Sequence, residues 1–351
     1  MAITGEGTAT EPFVVTTYEE LKEKMEAIYT VGSTTYIQLG NDIDGEDYEI
    51  GSTFHIATAN RIQSIDLDLH GYAIKNWYIP GTQSPLYTTH TLFSILCDAY
   101  IHDGKILNIY GHYTQDYKSY AVFYVIGVYS QSGTRKQVFE NISFSFDVSK
   151  CRYIIHDASS APYQATFTNC SFYWRSSTIF DGSNHAGIYT TGGTKFTSCD
   201  FYFDDLYLKA VASGTTDIAT LFPFAASGFT IMPFTYCRFR GNLVGYTNTS
   251  GTTAMLVYIF PGNTLDNCVF SVTCTKETSE EFTGTLNVYF MRTYLAATRL
   301  TLVDIDLADG VIFGGSNTQI IKAHTNQMDM RVNPNADVVL NDELHWDVQK
   351  G

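Results

Sequence analysis

Apolar and polar residues follow one period near the start of this chain and another everywhere else. Tyr18, Leu21, Met25 and Ile28 recur at spacings of three, four and three, which places them on one face of a helix of about three turns. Thr17 and Glu20 before that face have the spacing of a capping box, in which each side chain serves the other residue's backbone N–H. Beyond residue 30 the helical period does not return. Short runs rich in Val, Ile, Thr, Phe and Tyr alternate apolar with polar positions, separated by Gly, Asn, Asp and Ser, the signature of strands and turns.

The strand segments repeat. Phe139-Glu-Asn-Ile-Ser-Phe144, Phe167-Thr-Asn-Cys-Ser-Phe172, Phe196-Thr-Ser-Cys-Asp-Phe201, Phe234-Thr-Tyr-Cys-Arg-Phe239 and Leu265-Asp-Asn-Cys-Val-Phe270 share one pattern, and Leu300–Ile305 is a weaker copy. Leu67–Ile74 and Ile101–Ile106 read as earlier members. From Ile142 through Cys170, Cys199, Cys237 and Cys268 to Val303 the spacings are 28, 29, 38, 31 and 35. A fixed motif with variable spacers is one structural element carrying loops of different length.

Parity within the motif predicts its shape. Phe167 and Cys170 are three apart, whereas Cys170, Phe172 and Trp174 are two apart. All can face one interior only if the chain bends between Phe167 and Cys170, and Asn169 stands at that point. Asn tolerates the left-handed conformation such a bend requires, and Asn141 and Asn267 occupy the same place, with Ser198 as a substitute. Strand, one-residue bend and strand, repeated with identical inward residues, predict an all-β, single-stranded parallel β-helix with a ladder of four cysteines inside. A propeller would need about four strands per repeat of roughly 40 residues, and a sandwich has no reason to repeat one motif. The helix is expected to cap the solenoid, since an open end exposes strand edges and core. The chain thus reads as one domain, with residues 1–30 as N-terminal segment and cap, 31–332 as coils and 333–351 as a closing tail.

Composition narrows the function. Of 351 residues, 36 are Asp or Glu and 21 Lys or Arg, a net charge of −15 that repels phosphate backbones and argues against a nucleic-acid partner. No segment has the character of a membrane span, and the first twenty residues lack a secretory signal pattern, so a soluble protein folded in a reducing compartment is expected. Seven cysteines without a C-x₂-C pair and nine scattered histidines predict no disulfide scaffold and no metal site. No nucleotide-binding glycine motif stands between a strand and a helix, so no cofactor is expected.

The opening Gly5-Glu-Gly-Thr…Glu-Pro-Phe-Val-Val-Thr-Thr-Tyr-Glu-Glu-Leu21, then Tyr36–Asp44 and Ile65–Asn76, resemble the start of pectin-lyase-like right-handed β-helix proteins, above all those of tailed bacteriophages. The resemblance implies a fibre, spike or head-decoration protein of the virion. It would contact other virion proteins and a host-surface polysaccharide, as a homo-oligomer with a trimer favoured. It implies no catalytic residue, because the Asn-Thr-Asp and Arg-Ile-Lys motifs of the polygalacturonase-like enzymes do not accompany Asp204-Asp205, and His70-Gly71 stands at the wrong end of the chain.

The same parity turns Ser171, Tyr173 and Arg175 outward, with Asp200, Tyr202 and Asp204 on the next coil and Arg238 and Arg240 on the one after. Stacking sets Tyr173 beside Tyr202, Arg175 beside Asp204 and Asp200 beside Arg238. Tyrosine faces flanked by carboxylates and guanidiniums suit a glycan, whose C–H faces stack on rings while its hydroxyls take forked donors and acceptors. A cross-strand ladder of opposite charges fits the same pattern. A tailspike-type depolymerase is the alternative function, with Asp200, Asp204 and Arg238 as its first residues to test.

Overall fold

A computed structural model describes residues 3–27, 32–45, 56–57, 64–76, 78–79, 91–95, 97–111, 124–128, 136–147, 153–157, 165–175, 186–190, 193–209, 211–212, 222–226, 232–247, 254–261, 263–278, 285–292, 299–307, 311–313, 329–330 and 347–348. The chain is a parallel β-helix. Its main sheet stacks strands in parallel from Phe13–Val15 through Thr34–Leu39, Ser64–Asp68, Asp98–Gly111, Gln137–Asp147, Ala165–Thr168, Lys195–Thr197 and Met232–Thr235 to Asn263–Thr278. A second parallel sheet runs from Ile56–Ala57 through Thr91–Ile95, Tyr124–Val128, Tyr153–Asp157 and Ala186–Thr190 to Phe222–Ala226. A third holds Ala254–Pro261, Thr285–Arg292 and Val311–Phe313 in parallel. The tail expected over 333–351 lies outside the described residues except for Asp347–Val348, which pairs with Asp329–Met330.

The expected bend is present at the five stronger copies of the motif; Leu300–Ile305 lies within the strand Arg299–Leu307. Asn141, Asn169, Ser198, Tyr236 and Asn267 have φ between +52° and +55°, and Asp103 and His70 carry the same corner into the earlier coils. Short polar side chains dominate there because they bear the left-handed conformation at least cost. On either side of the corner the inward residues align in register. Leu67, Ile101, Phe139, Phe167, Phe196 and Phe234 form the column before it. Phe144, Phe172, Phe201 and Phe239 lie in the column after it. Neighbouring rings stack at 4.5–5.1 Å before the corner and 4.7–4.9 Å after it, close to the spacing of adjacent strands. Across the corner the columns meet edge to face, as Phe196 meets Phe201 at 5.5 Å and 72°. Each such pair contributes about 0.5–1.5 kcal/mol beyond the burial of its area.

Cys170, Cys199, Cys237 and Cys268 continue the stack as free, buried thiols. The Cys199 thiol donates to the carbonyls of Phe167 at 3.5 Å and Thr197 at 3.4 Å, so the ladder is tied to the backbone of its own coil and the one below. Burial pushes the Cys199 and Cys237 thiols well above the usual range, which keeps them protonated and inert. The column changes residue where space demands it. At Gly104, in register with Ile142, an added Cβ would stand 2.2 Å from Leu69 Cβ.

The helix runs over Tyr18–Glu26, with Ile28 outside the described residues. Its capping box is complete. The Glu20 N–H donates to Thr17 Oγ1 at 3.2 Å, and the Thr17 N–H donates back to Glu20 Oε2 at 3.3 Å. Tyr18, Leu21 and Met25 are buried, so the apolar face seals the first coil as the cap was expected to do.

Candidate functional site

The strands after the corner carry the candidate face. Along Ser171–Arg175 exposure alternates without exception: Phe172 and Trp174 are buried, while Ser171, Tyr173 and Arg175 are exposed. The next two rungs repeat this parity, and pairing sets Tyr173 against Tyr202, Arg175 against Asp204, Asp200 against Arg238 and Tyr202 against Arg240. The structure therefore brings all seven predicted residues onto one outward surface of three successive rungs.

Side chains complete the picture. The Tyr173 and Tyr202 rings stack at 5.3 Å and 17°, and the Arg240 guanidinium lies over the free side of the Tyr202 ring region, 5.5 Å from its centroid. Arg240 also grips Asp200 with two donors, Nη2 to Oδ2 at 2.9 Å and Nε to Oδ1 at 3.3 Å. Asp200 thus pairs along the diagonal rather than with Arg238, its direct cross-strand neighbour, because from the diagonal position the Arg240 guanidinium presents Nε and Nη2 to both oxygens at once. The Tyr173 hydroxyl donates to Asp204 Oδ2. That hydrogen bond to a carboxylate, with some burial, pushes the Tyr173 phenol up to about 12, so it stays a donor across the neutral range.

Two consequences bear on chemistry. Asp200 and Asp204 are four residues apart on one strand, about 13 Å between their backbone positions at 3.3 Å per residue. Both carboxylates are also already engaged, by Arg240 and by Tyr173.

A residue outside the predicted set joins this face. Among the described residues the large hydrophobic side chains that remain exposed are Tyr173 at 39 %, Tyr202 at 37 % and Tyr236 at 64 %, and all three belong to these consecutive rungs. Three of the nine arginines of the chain, Arg175, Arg238 and Arg240, lie among them. Tyr236 had been visible in the sequence as the aromatic at the corner position that Asn or Ser fills elsewhere.

Before the corner, on earlier rungs, lies a second polar cluster that the sequence reading did not assemble. His102 Nε2 meets Asp66 Oδ1 at 3.0 Å and its Nδ1 meets Asp103 Oδ2 at 2.8 Å. The Tyr100 ring stacks on His102 at 4.4 Å while its hydroxyl donates to Glu140 at 2.6 Å, and Gln38 donates to Asp68 at 3.1 Å. The hydrogen bond to Asp66 pushes His102 up to about 9 against the opposing effect of burial, so the ring is an imidazolium at neutral pH. Asp68, His102 and Asp103 place possible ligand atoms within 4.8 Å of one another, whereas the sequence predicted no metal site. A cation there would first have to displace the proton that Asp66 and Asp103 hold on His102. The signal was the equal register of Asp66-Leu67-Asp68 and Tyr100-Ile101-His102, obscured because neither rung carries the Phe and Cys of the later motif.

No protein-family model matches the chain, and no curated protein matches it. Among solved structures, a Bacteroides ovatus protein described as a candidate immunoglobulin A1 protease aligns with 89 % of this chain and 85 % of its own, at 13 % identity and a TM-score of 0.44.

Proposed function

We propose that this chain is a structural component of a bacteriophage particle, a fibre, spike or capsid-decoration protein, that binds a host-surface glycan through the outward face of its central rungs. The clustering of the exposed tyrosines with three arginines is the observation that carries the glycan reading. The exposed parts of the Tyr173, Tyr202 and Tyr236 rings offer apolar contact to sugar C–H groups, while Arg175, Arg238 and the Arg240–Asp200 fork supply directional donors and acceptors for hydroxyls. The virion reading rests on the resemblance of the opening segments and on the suitability of a capped, one-domain solenoid as a rigid rod. Three such rods packed about a symmetry axis would close their interfaces without open ends.

The binding test is a panel of bacterial capsular and O-antigen polysaccharides presented to the wild type and to Tyr202→Ala. Wild-type binding lost in the variant, with thermal stability nearly unchanged, is expected because Tyr202 contributes little to the core. Equal binding by both proteins would remove the tyrosine face from the function. Light scattering on the same samples, with an SDS-resistance test, reads the trimer: a monomer near 39 kDa would count against the spike form.

A further inference from the structure

The geometry points to Tyr236 as an outlying aromatic subsite, so that the ligand is an internal stretch of a linear oligosaccharide several sugars long rather than a single terminal sugar. This rests on the glycan reading of the Tyr173–Tyr202 face. Tyr236 stands at the corner, one rung above Tyr202 and four residues before Arg240, so strand spacing and rise put it at most about 14 Å from the Tyr202 position, and nearer because the chain turns there. Arg238 and the Arg240–Asp200 pair fill the ground between, so aromatic platforms terminate a polar floor at both ends. Such a surface rewards an extended chain that can touch both ends and gives a monosaccharide only one.

Backbone conformation supplies a second argument. Asn141, Asn169, Ser198 and Asn267 occupy the corner with residues that bear φ near +55° at modest cost, but Tyr236 adopts φ +55° with a bulky side chain that is 64 % exposed and gains no burial in return. A bulky residue kept in a strained conformation without packing reward is the pattern of a position held for binding.

Three variants decide the matter, each measured against the polysaccharide panel supplied as polymers and as oligosaccharides of graded length, with melting temperature and molar mass recorded. Tyr236→Asn, which restores the residue of the neighbouring corners, is expected to melt no lower than wild type. It should bind polymer and long oligosaccharide about 3- to 10-fold more weakly and short oligosaccharide equally well. Tyr236→Phe keeps the ring and should bind as wild type, whereas Tyr202→Ala should lose binding at every length. Wild-type affinity of Tyr236→Asn for all lengths, with Tyr202→Ala inactive, would overturn the subsite and leave the tyrosine face standing. Weakening of Tyr236→Asn accompanied by a change in molar mass would overturn it in favour of a contact with a second copy of the chain. Failure of the wild type to bind any member of the panel would overturn both readings.

Discussion

Two polar surfaces lie on the same sheet of this solenoid, one before the corner and one after it, and they spend their charges differently. Around His102 the groups satisfy one another: the imidazolium has a carboxylate at each nitrogen, Tyr100 serves Glu140, and Gln38 and Asn141 serve Asp68 and Asp103. Around Tyr202 the pairing is incomplete in kind. Asp200 and Asp204 are engaged, and the Tyr202 ring is stacked on Tyr173 with Arg240 over it, but Tyr173, Tyr202 and Tyr236 stay partly exposed on rungs that also carry Arg175 and Arg238. The first arrangement fastens rungs to each other, and the second presents a surface. Density of charged residues therefore says less about function than whether polar and aromatic groups still face outward after the neighbours have been served.

The largest effect that would break this contrast should come from Gly241. A Cβ there would stand 2.0 Å from the Phe203 carbonyl oxygen, at a φ of +115° that only glycine adopts freely. Gly241→Ala is expected to cost about 3–5 kcal/mol, read as the urea midpoint, and to disturb the strand that carries Arg240. An unchanged midpoint would mean the rungs after the corner are far less tightly registered than their ring stacking implies.

His102→Gln should come next, at about 2 kcal/mol, through loss of a charge-assisted pair of hydrogen bonds. Its pH dependence sharpens the comparison. His102 has a raised value in the folded state, so its stabilisation is complete below the unfolded value of 6.5 and is lost as pH climbs through about 9. The difference in stability between wild type and variant should shrink across that window, with glycan binding unaffected. A difference that grows with pH would show that His102 is neutral in the fold.

The smallest effect expected is that of Asp204→Asn. Removing the carboxylate should bring the Tyr173 phenol down from about 12 towards its ordinary 10, followed by NMR of labelled tyrosine, while stability changes by less than about 1 kcal/mol. Oligosaccharide release from any polysaccharide by the wild type, abolished in this variant, would revive the depolymerase reading.

The fold was open to sequence reasoning because one motif recurs with fixed parity. The offset of three between Phe167 and Cys170 dictates a bend, and Asn169 indicates the conformation at it. The same parity placed Tyr173, Tyr202 and the arginines outward and in register. It set Asp200 beside Arg238, as the backbone pairing does, but the side-chain partner is Arg240, since the direction in which two equal arginines lean is not written in the register. The cluster at His102 escaped for another reason: its rungs carry aliphatic residues and Gly104 where later rungs carry Phe and Cys, so the register had no visible marker. Tyr236 was passed over because its corner was recognised by the residues that usually fill it, and its meaning lies in departing from them.

The corner column also has a mechanical consequence. The hydrogen bonds that join one coil to the next run along the rod, so a pull on its ends loads them in series. Each coil that yields would release 28–38 residues of chain, about 100 Å, before the next is strained. A rod of this kind fails coil by coil, in steps as unequal as its spacers, rather than all at once.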